Sequence, residues 1–369
     1  MFKNAIQIGK LWGIPLRLHY SFLIILPFLA WAFGNNIRAL AELAGIPLTS
    51  LGANPYFLGF LMAIALFTSV ALHELSHSLV ARKKGVHIHS INLMLFGGVA
   101  QMDEIPEDPK DEAMIAFAGP ILSLVLGGIL IGGATLFRGV IVADMQLMFL
   151  YLGWMNLFLA VFNLIPAFPT DGGRVLRAIL AGRMPFLQAT KIAATIGKGF
   201  AFAFGILGLL TANFILVFIA FFIYIGASQE YQTLFIKNTL EGFRVSDLMT
   251  EDVKVVDEET VVSELVDRMF VERHSGYPVT RNGEVIGLVT MGDVRRVEPE
   301  MQSQTRVREI MSSNIIKADP NEDIYLALRR MSQEDVGRLM VMKGGQLVGI
   351  ITRSDIMKGF RLREMQSGT

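Results

Sequence analysis

"YFLGFLMAIALFTSVALHELSHSLVA", residues 56–81, is apolar over a length that can cross a bilayer, yet it carries two histidines and a glutamate near one end. About 20 apolar residues in a helix cover the hydrocarbon core. An ionisable group in such a helix is costly to hold there and by default marks a functional site. Comparable apolar runs recur at 19–35, 113–136, 146–165, 190–210 and 213–229, which gives six expected spans. The chain has 369 residues, 52% of them apolar and 18% charged, where ordinary soluble domains carry roughly 25% charge. Its mean hydropathy is +0.48. That average joins two unlike parts, because from Gln229 onward Glu, Asp, Arg and Lys are frequent. The expected fold class is a polytopic α-helical membrane protein followed by a soluble α/β module.

Several function classes drop out on composition. Net charge is zero, so nothing favours binding to nucleic acid, which needs clustered Lys and Arg. There is no cysteine, which excludes disulfides and thiolate metal sites and leaves any metal to His and carboxylates. The N-terminal stretch MFKNAIQIGKLWGIPLRLHYSFL has no small-residue cleavage site after its apolar run, so its helix is expected to be retained. With six spans both ends lie on one side. Lys3, Lys10, Arg17, Arg82, Lys83, Lys84, Arg174, Arg177 and Arg183 fall on that side, against Arg38 and Arg138 on the other. The positive-inside rule then predicts a cell-membrane protein whose N-terminus and soluble module face the cytoplasm.

The spacing His73-Glu74-x-x-His77 puts two imidazoles at i and i+4 on one helix face, close enough to share one metal ion. Glu74 points about 100° away around the axis, where it can accept a proton from water activated by that metal. Zinc catalysis needs a third protein ligand and an open position. The fourth span ends in "NLIPAFPTDGG", residues 163–173, where Pro166 and Pro169 break the helix and Asp171 is the first carboxylate reached. Broken backbone at membrane depth is tolerated only inside protein or along a wet cavity, so Asp171 is the candidate third ligand.

HELSH together with NLIPAFPTDGG resembles the site-2 protease family of intramembrane metalloproteases over about the first 230 residues. The resemblance implies zinc on His73, His77 and Asp171, Glu74 as general base, and Asn163 as a contact to substrate or oxyanion. "GIPLRLHYSFL" at 13–23 and "AGPILS" at 118–123 resemble the family's first-helix approach and the small-residue motif of its third helix. "VHIHSINLMLFGGVAQM" at 86–102 resembles its re-entrant hairpin, which aligns an extended substrate. His87, His89 and His19 are read as interfacial residues, because three residues and water already complete a zinc shell.

A duplication follows. "VSDLMT" at 245–250 returns as "VREIMS" at 307–312, and "GLVTMGDV" at 287–294 returns as "GIITRSDI" at 349–356; both offsets are 62 (307 − 245 and 349 − 287). Each copy reads as strand, amphipathic helix, hairpin and closing helix. This resembles a tandem of cystathionine β-synthase (CBS) domains. The resemblance implies pairing, a possible homodimer, and ATP, ADP or AMP bound through Thr290 with Asp293 and Thr352 with Asp355. The expected organisation is 1–229 membrane domain, 230–243 linker, 244–298 first repeat and 306–361 second repeat.

The expected function is an intramembrane zinc endopeptidase cutting transmembrane substrates, membrane-tethered transcription regulators among them, near the cytoplasmic side and regulated by the CBS pair. A CBS-gated ion transporter also explains the spans and the repeat, and an inactive scaffold explains the fold. Neither gives Glu74 a task.

Overall fold

The computed structural model describes residues 5–95, 97–103 and 106–367, and the chain divides into two compact units between Gln232 and Thr233. Lys3, counted above for orientation, lies outside the described residues. The first unit opens with β1 (Ala5–Leu11) and β2 (Ile14–His19), an antiparallel hairpin whose turn places Trp12 and Gly13 at φ 49° and 85°. Positive φ at both central residues matches the right-handed twist of a two-residue hairpin.

The first apolar run is shorter and more bent than a single span. It forms α1 (Phe22–Asn35) and α2 (Ile37–Leu43), broken at Asn36 and bent by 59°. Asn36 turns its side-chain amide back onto the Ala32 carbonyl at 2.8 Å. α3 (Pro55–Lys83) is capped by Asn54, whose Oδ1 accepts from the Tyr56 and Phe57 amides, and it ends on Arg82 and Lys83. Those cations suit the negative end of the helix dipole.

β3 (Ile88–Met94) and β4 (Gly97–Met102) form the expected hairpin. It belongs to a larger structure than the sequence suggested, since β2 pairs in parallel with β3 to give a four-stranded sheet ordered β1-β2-β3-β4. The hairpin's re-entrant placement stays an expectation from the resemblance. The apolar helices continue as α4 (Pro109–Leu136) and α5 (Ala143–Asn163). A loop then leads to the amphipathic α6 (Asp171–Ala181), α7 (Phe186–Leu210) and α8 (Phe214–Leu240). Among the described residues five helices are long and apolar enough to span, or up to six if the bent pair is one span.

The 230–243 stretch, expected as a linker, is helix through Leu240. The apolar rows of α8 carry on past the last membrane-like residues, and Leu240 is fully buried in the core of the second repeat.

The second unit repeats one pattern. The first copy runs α9 (Val245–Leu248), β5 (Val256–Asp257), α10 (Val262–Glu272), β6 (Gly276–Arg281), β7 (Glu284–Thr290) and α11 (Met291–Val294). The second runs α12 (Val307–Ile310), β8 (Lys317–Ala318), α13 (Ile324–Gln333), β9 (Arg338–Lys343), β10 (Gln346–Thr352) and α14 (Arg353–Ser367). Each copy folds around its own apolar cluster, and each lends its leading segment to the other. Thr250 and Ile350 exchange backbone hydrogen bonds of 2.9 and 3.0 Å, and Leu288 with Ser312 does the same at 2.9 Å. Val245 lies in the second repeat's core and Val307 in the first's. An exchanged strand satisfies backbone groups that each copy alone would leave open.

Candidate metal centre

His73 and His77 face the same way from α3, 3% and 6% exposed, with their Nε2 atoms 3.2 Å apart. Asp171 begins α6, and its Oδ2 lies 3.2 Å from each of those nitrogens. α5 ends at Asn163, and the Thr170 hydroxyl donates to the Ile165 and Ala167 carbonyls at 2.7 Å, folding the proline-rich loop on itself so that a new helix starts at Asp171. The three side chains are the one candidate metal cluster found among the described residues.

The outer nitrogens of the two rings are fixed by α4. His77 Nδ1 lies 2.7 Å from the Ile115 carbonyl and His73 Nδ1 lies 2.9 Å from Ser123 Oγ. A carbonyl only accepts, so His77 carries a proton on Nδ1, and its neutral form turns a lone pair toward the centre. Such a hydrogen bond fixes the tautomer of a metal-binding histidine. One turn from Ile115, Gly119 passes directly behind the cluster. A Cβ there would sit 2.2 Å from His77 Nε2 and 2.6 Å from His73 Nε2. Only a residue without a side chain leaves the space between the rings open.

Two imidazole nitrogens and a carboxylate oxygen that converge at 3.2 Å can share one cation. The spacing suits zinc. Four ligands at about 2.0–2.1 Å in a tetrahedron stand about 3.3 Å from each other. The donor set, two imidazoles and one carboxylate with a fourth direction free, is that of a catalytic zinc.

Glu74, one residue along from His73, is partly buried beside β4, where a Cβ on Gly98 would meet its Cγ at 2.6 Å. Gly98 therefore lets the strand pass close to the carboxylate. Asn163 lies at the last turn of α5 with its amide donated to the Leu159 carbonyl at 3.0 Å. His87 and His89 stack edge to face 4.8 Å apart, with His89 on Asp103 at 2.9 Å, and His19 pairs with Ser21; none of them joins the cluster.

In the second unit Thr290 and Asp293 are bound to each other, as are Thr352 and Asp355. Each Thr Oγ1 lies 2.6 Å from the Asp carboxylate, and each Thr amide donates to it at 2.9 and 3.1 Å. The T-x-x-D spacing thus caps the start of α11 and of α14, and whatever these residues do for a ligand is added to that role.

Sequence reasoning named the three side chains that the structure brings together, and Glu74 beside them as a candidate base. It missed Ser123, the Ile115 carbonyl and Gly119, and it counted Arg177 only among the charges of the cytoplasmic side, where the structure buries it to 6% exposure between Glu112 and Glu230. AGPILS, 118–123, was the available signal for Gly119 and Ser123; a backbone carbonyl leaves none.

Fold and site together define a metallopeptidase built into a bundle of apolar helices. Comparison with known proteins agrees. The sequence matches Peptidase family M50 over residues 61–145 and 138–204, and the CBS domain over 245–300 and 307–361. Zinc metalloprotease MJ0392 of Methanocaldococcus jannaschii is 36% identical over 362 residues, covering 98% of each chain. Rip3 of Mycobacterium tuberculosis is 32% identical over 370 residues, covering 96% of this chain and 93% of that one. Among solved structures, the site-2 protease from Methanocaldococcus jannaschii is 39% identical, covers 62% of this chain and 95% of its own, and superposes with a TM-score of 0.43. The chain belongs to peptidase family M50, the site-2 proteases, and carries a tandem of CBS domains. It is a multi-pass membrane zinc metalloendopeptidase.

Proposed function

We propose that His73, His77 and Asp171 hold the zinc, that Glu74 is the general base, and that the enzyme cuts membrane-protein substrates within a transmembrane segment near the cytoplasmic face. The observation that carries this reading is the His77 ring, held at Nδ1 by the Ile115 carbonyl, with its Nε2 3.2 Å from a second imidazole nitrogen and from a carboxylate oxygen. When bound, zinc lowers the pKa of a water to about 7 and polarises the scissile carbonyl.

The protein's own groups do the rest. Ser123 and Ile115 hold the rings so that no reorganisation is needed when charge develops. Glu74 stands outside the ligand set and is free to take a proton from the attacking water and pass it to the leaving amine. Asn163 is the candidate donor to the substrate carbonyl; it would have to exchange its bond to Leu159 for one to substrate. A helical amide is shielded by its own hydrogen bonds, so the substrate must unwind. β4 ends the sheet and passes beside Glu74, and strand addition along that edge offers an unwound segment the backbone partners it loses. The expected substrates are membrane-tethered regulators of transcription. We place the N-terminus and the CBS pair in the cytoplasm, from where water reaches the centre. The CBS pair is proposed to bind an adenine nucleotide, to regulate access and to support a homodimer.

The test is cleavage in proteoliposomes. A single-span substrate should be cut inside its hydrophobic segment, a zinc chelator should stop the reaction, and added zinc should restore it. Cuts confined to soluble flanks, or cleavage indifferent to chelation, would contradict the reading.

A further inference from the structure

Arg177 is the most deeply held cation of the membrane unit for which catalysis offers no task. Its Nε donates to Glu112 Oε1 at 2.8 Å, a second guanidinium nitrogen donates to the same oxygen, and Nη1 donates to Glu230 Oε1 at 2.8 Å. The guanidinium carbon lies 5.0 Å and 4.8 Å from the centres of the Phe168 and Phe186 rings. Four segments therefore converge on one side chain of α6: the loop before Asp171, the start of α7, the start of α4, and α8.

This cluster is poorly built as a stability device. Glu112 is 1% exposed and its Oε2 has no partner among the described residues, so two carboxylates share one guanidinium with an oxygen to spare. Taking such charges out of water costs several kcal/mol, and apolar replacements of buried ion pairs are often neutral or stabilising. What a fixed multi-armed contact does supply is placement. Glu112 lies on α4 three residues before Ile115, whose carbonyl fixes His77, and α4 also carries Gly119 and Ser123. Arg177 lies on α6 six residues after Asp171, about 9 Å along the axis at 1.5 Å per residue. The Arg177–Glu112 contact thus locks the height and rotation of the helix bearing the carboxylate ligand against the helix that orients both imidazoles. Glu230 adds α8, the helix that ends at Leu240 in the core of the second CBS repeat.

We infer that Arg177 is a positioning residue that sets Asp171 against His73 and His77, with Glu230 as the arm by which α8 bears on that placement. The inference rests on the metal-site reading above, and its test separates the two. Zinc affinity of the full-length protein in detergent is measured by competition with a chromophoric chelator, alongside the thermal unfolding midpoint. His73→Ala is the control for the site itself; if it keeps full zinc affinity, the metal-site reading fails and Arg177 has nothing to position. With that control losing zinc, R177M/E112L removes the buried charge pair without leaving a polar group buried at position 112, and Glu230, whose side chain is 32% exposed, is left to water. The double variant should weaken zinc binding by about 10–100-fold, the usual range for groups that orient metal ligands, while the protein stays folded. Arg177→Lys keeps the charge but reaches only one carboxylate, and should fall between the double variant and wild type. It also decides the matter if the double variant does not fold. Glu230→Gln should weaken binding by roughly 2–5-fold, the effect of one charge-assisted hydrogen bond made neutral. Folded Arg177 variants with wild-type zinc affinity would overturn the positioning role, and unchanged affinity in Glu230→Gln alone would remove α8 from it.

Discussion

At the residue scale, the centre depends on a side chain that is absent as much as on those present. Gly119 lies on α4 with the two Nε2 atoms 2.2 and 2.6 Å from where its Cβ would be. Gly119→Ala should therefore push the rings apart, drop bound zinc to below about a tenth of wild type and abolish cleavage, because backbone and buried imidazoles cannot both yield in a packed interior. Metal analysis of the purified variant checks this, and full occupancy would show that the ligands lie elsewhere. The i, i+4 histidines were legible in the sequence because helix geometry alone brings them together. Asp171 was legible only through the broken helix preceding it. The burial of Arg177 was not legible because it sits among other arginines, Arg174 and Arg183, while its partners Glu112 and Glu230 are 65 and 53 residues away in the chain. Long-range ion pairs have no local pattern.

At the element scale, the long spans were visible as apolar runs, while β1 and the break at Asn36 were not. β1 is mostly exposed and shows no alternation of burial, so the periodic signal that identifies strands is missing. The sheet it starts puts β4 at an edge next to Glu74, and this yields a prediction about substrate. Successive amides of a strand point to opposite edges. Of Val99→Pro and Ala100→Pro, one removes a ladder bond to β3 and the other removes a donor on the free edge. The variant that keeps wild-type thermal stability should lose about tenfold or more in kcat/KM, roughly one to two hydrogen bonds, with zinc content unchanged. If both variants fold and both retain kcat/KM, substrate does not add to this strand.

At the scale of the whole molecule, the duplication was readable from its constant offset of 62, and the same offset relates β6 to β9 (338 − 276) and β7 to β10 (346 − 284). The exchange of leading segments between copies was not readable, since either copy could have paired with its own. Nor was the continuity of α8, because a rise in charged residues signals water and does not signal the end of a helix. That continuity makes α8 part of both units of the chain. ATP, ADP or AMP should bind the full-length protein with measurable heat in isothermal titration, and a nucleotide that binds should change the rate of substrate cleavage. A ligand shifts an equilibrium only through unequal affinity for its two states. No heat at millimolar nucleotide would leave Thr290, Asp293, Thr352 and Asp355 with capping as their whole role.

Metal binding and proton transfer are proposed for different residues: His73 and His77 on α3 with Asp171 at the start of α6 for the metal, and Glu74 on α3 for the proton. Glu74→Gln separates them, since it removes the base and leaves His73, His77 and Asp171 in place. The measurement is zinc content and cleavage of a single-span substrate on the same purified sample. The expected result is one zinc per chain together with a fall in cleavage of about 10²–10⁴-fold, the range for loss of a general base. Cleavage within tenfold of wild type, or a loss of zinc that accompanies the loss of activity, would contradict it.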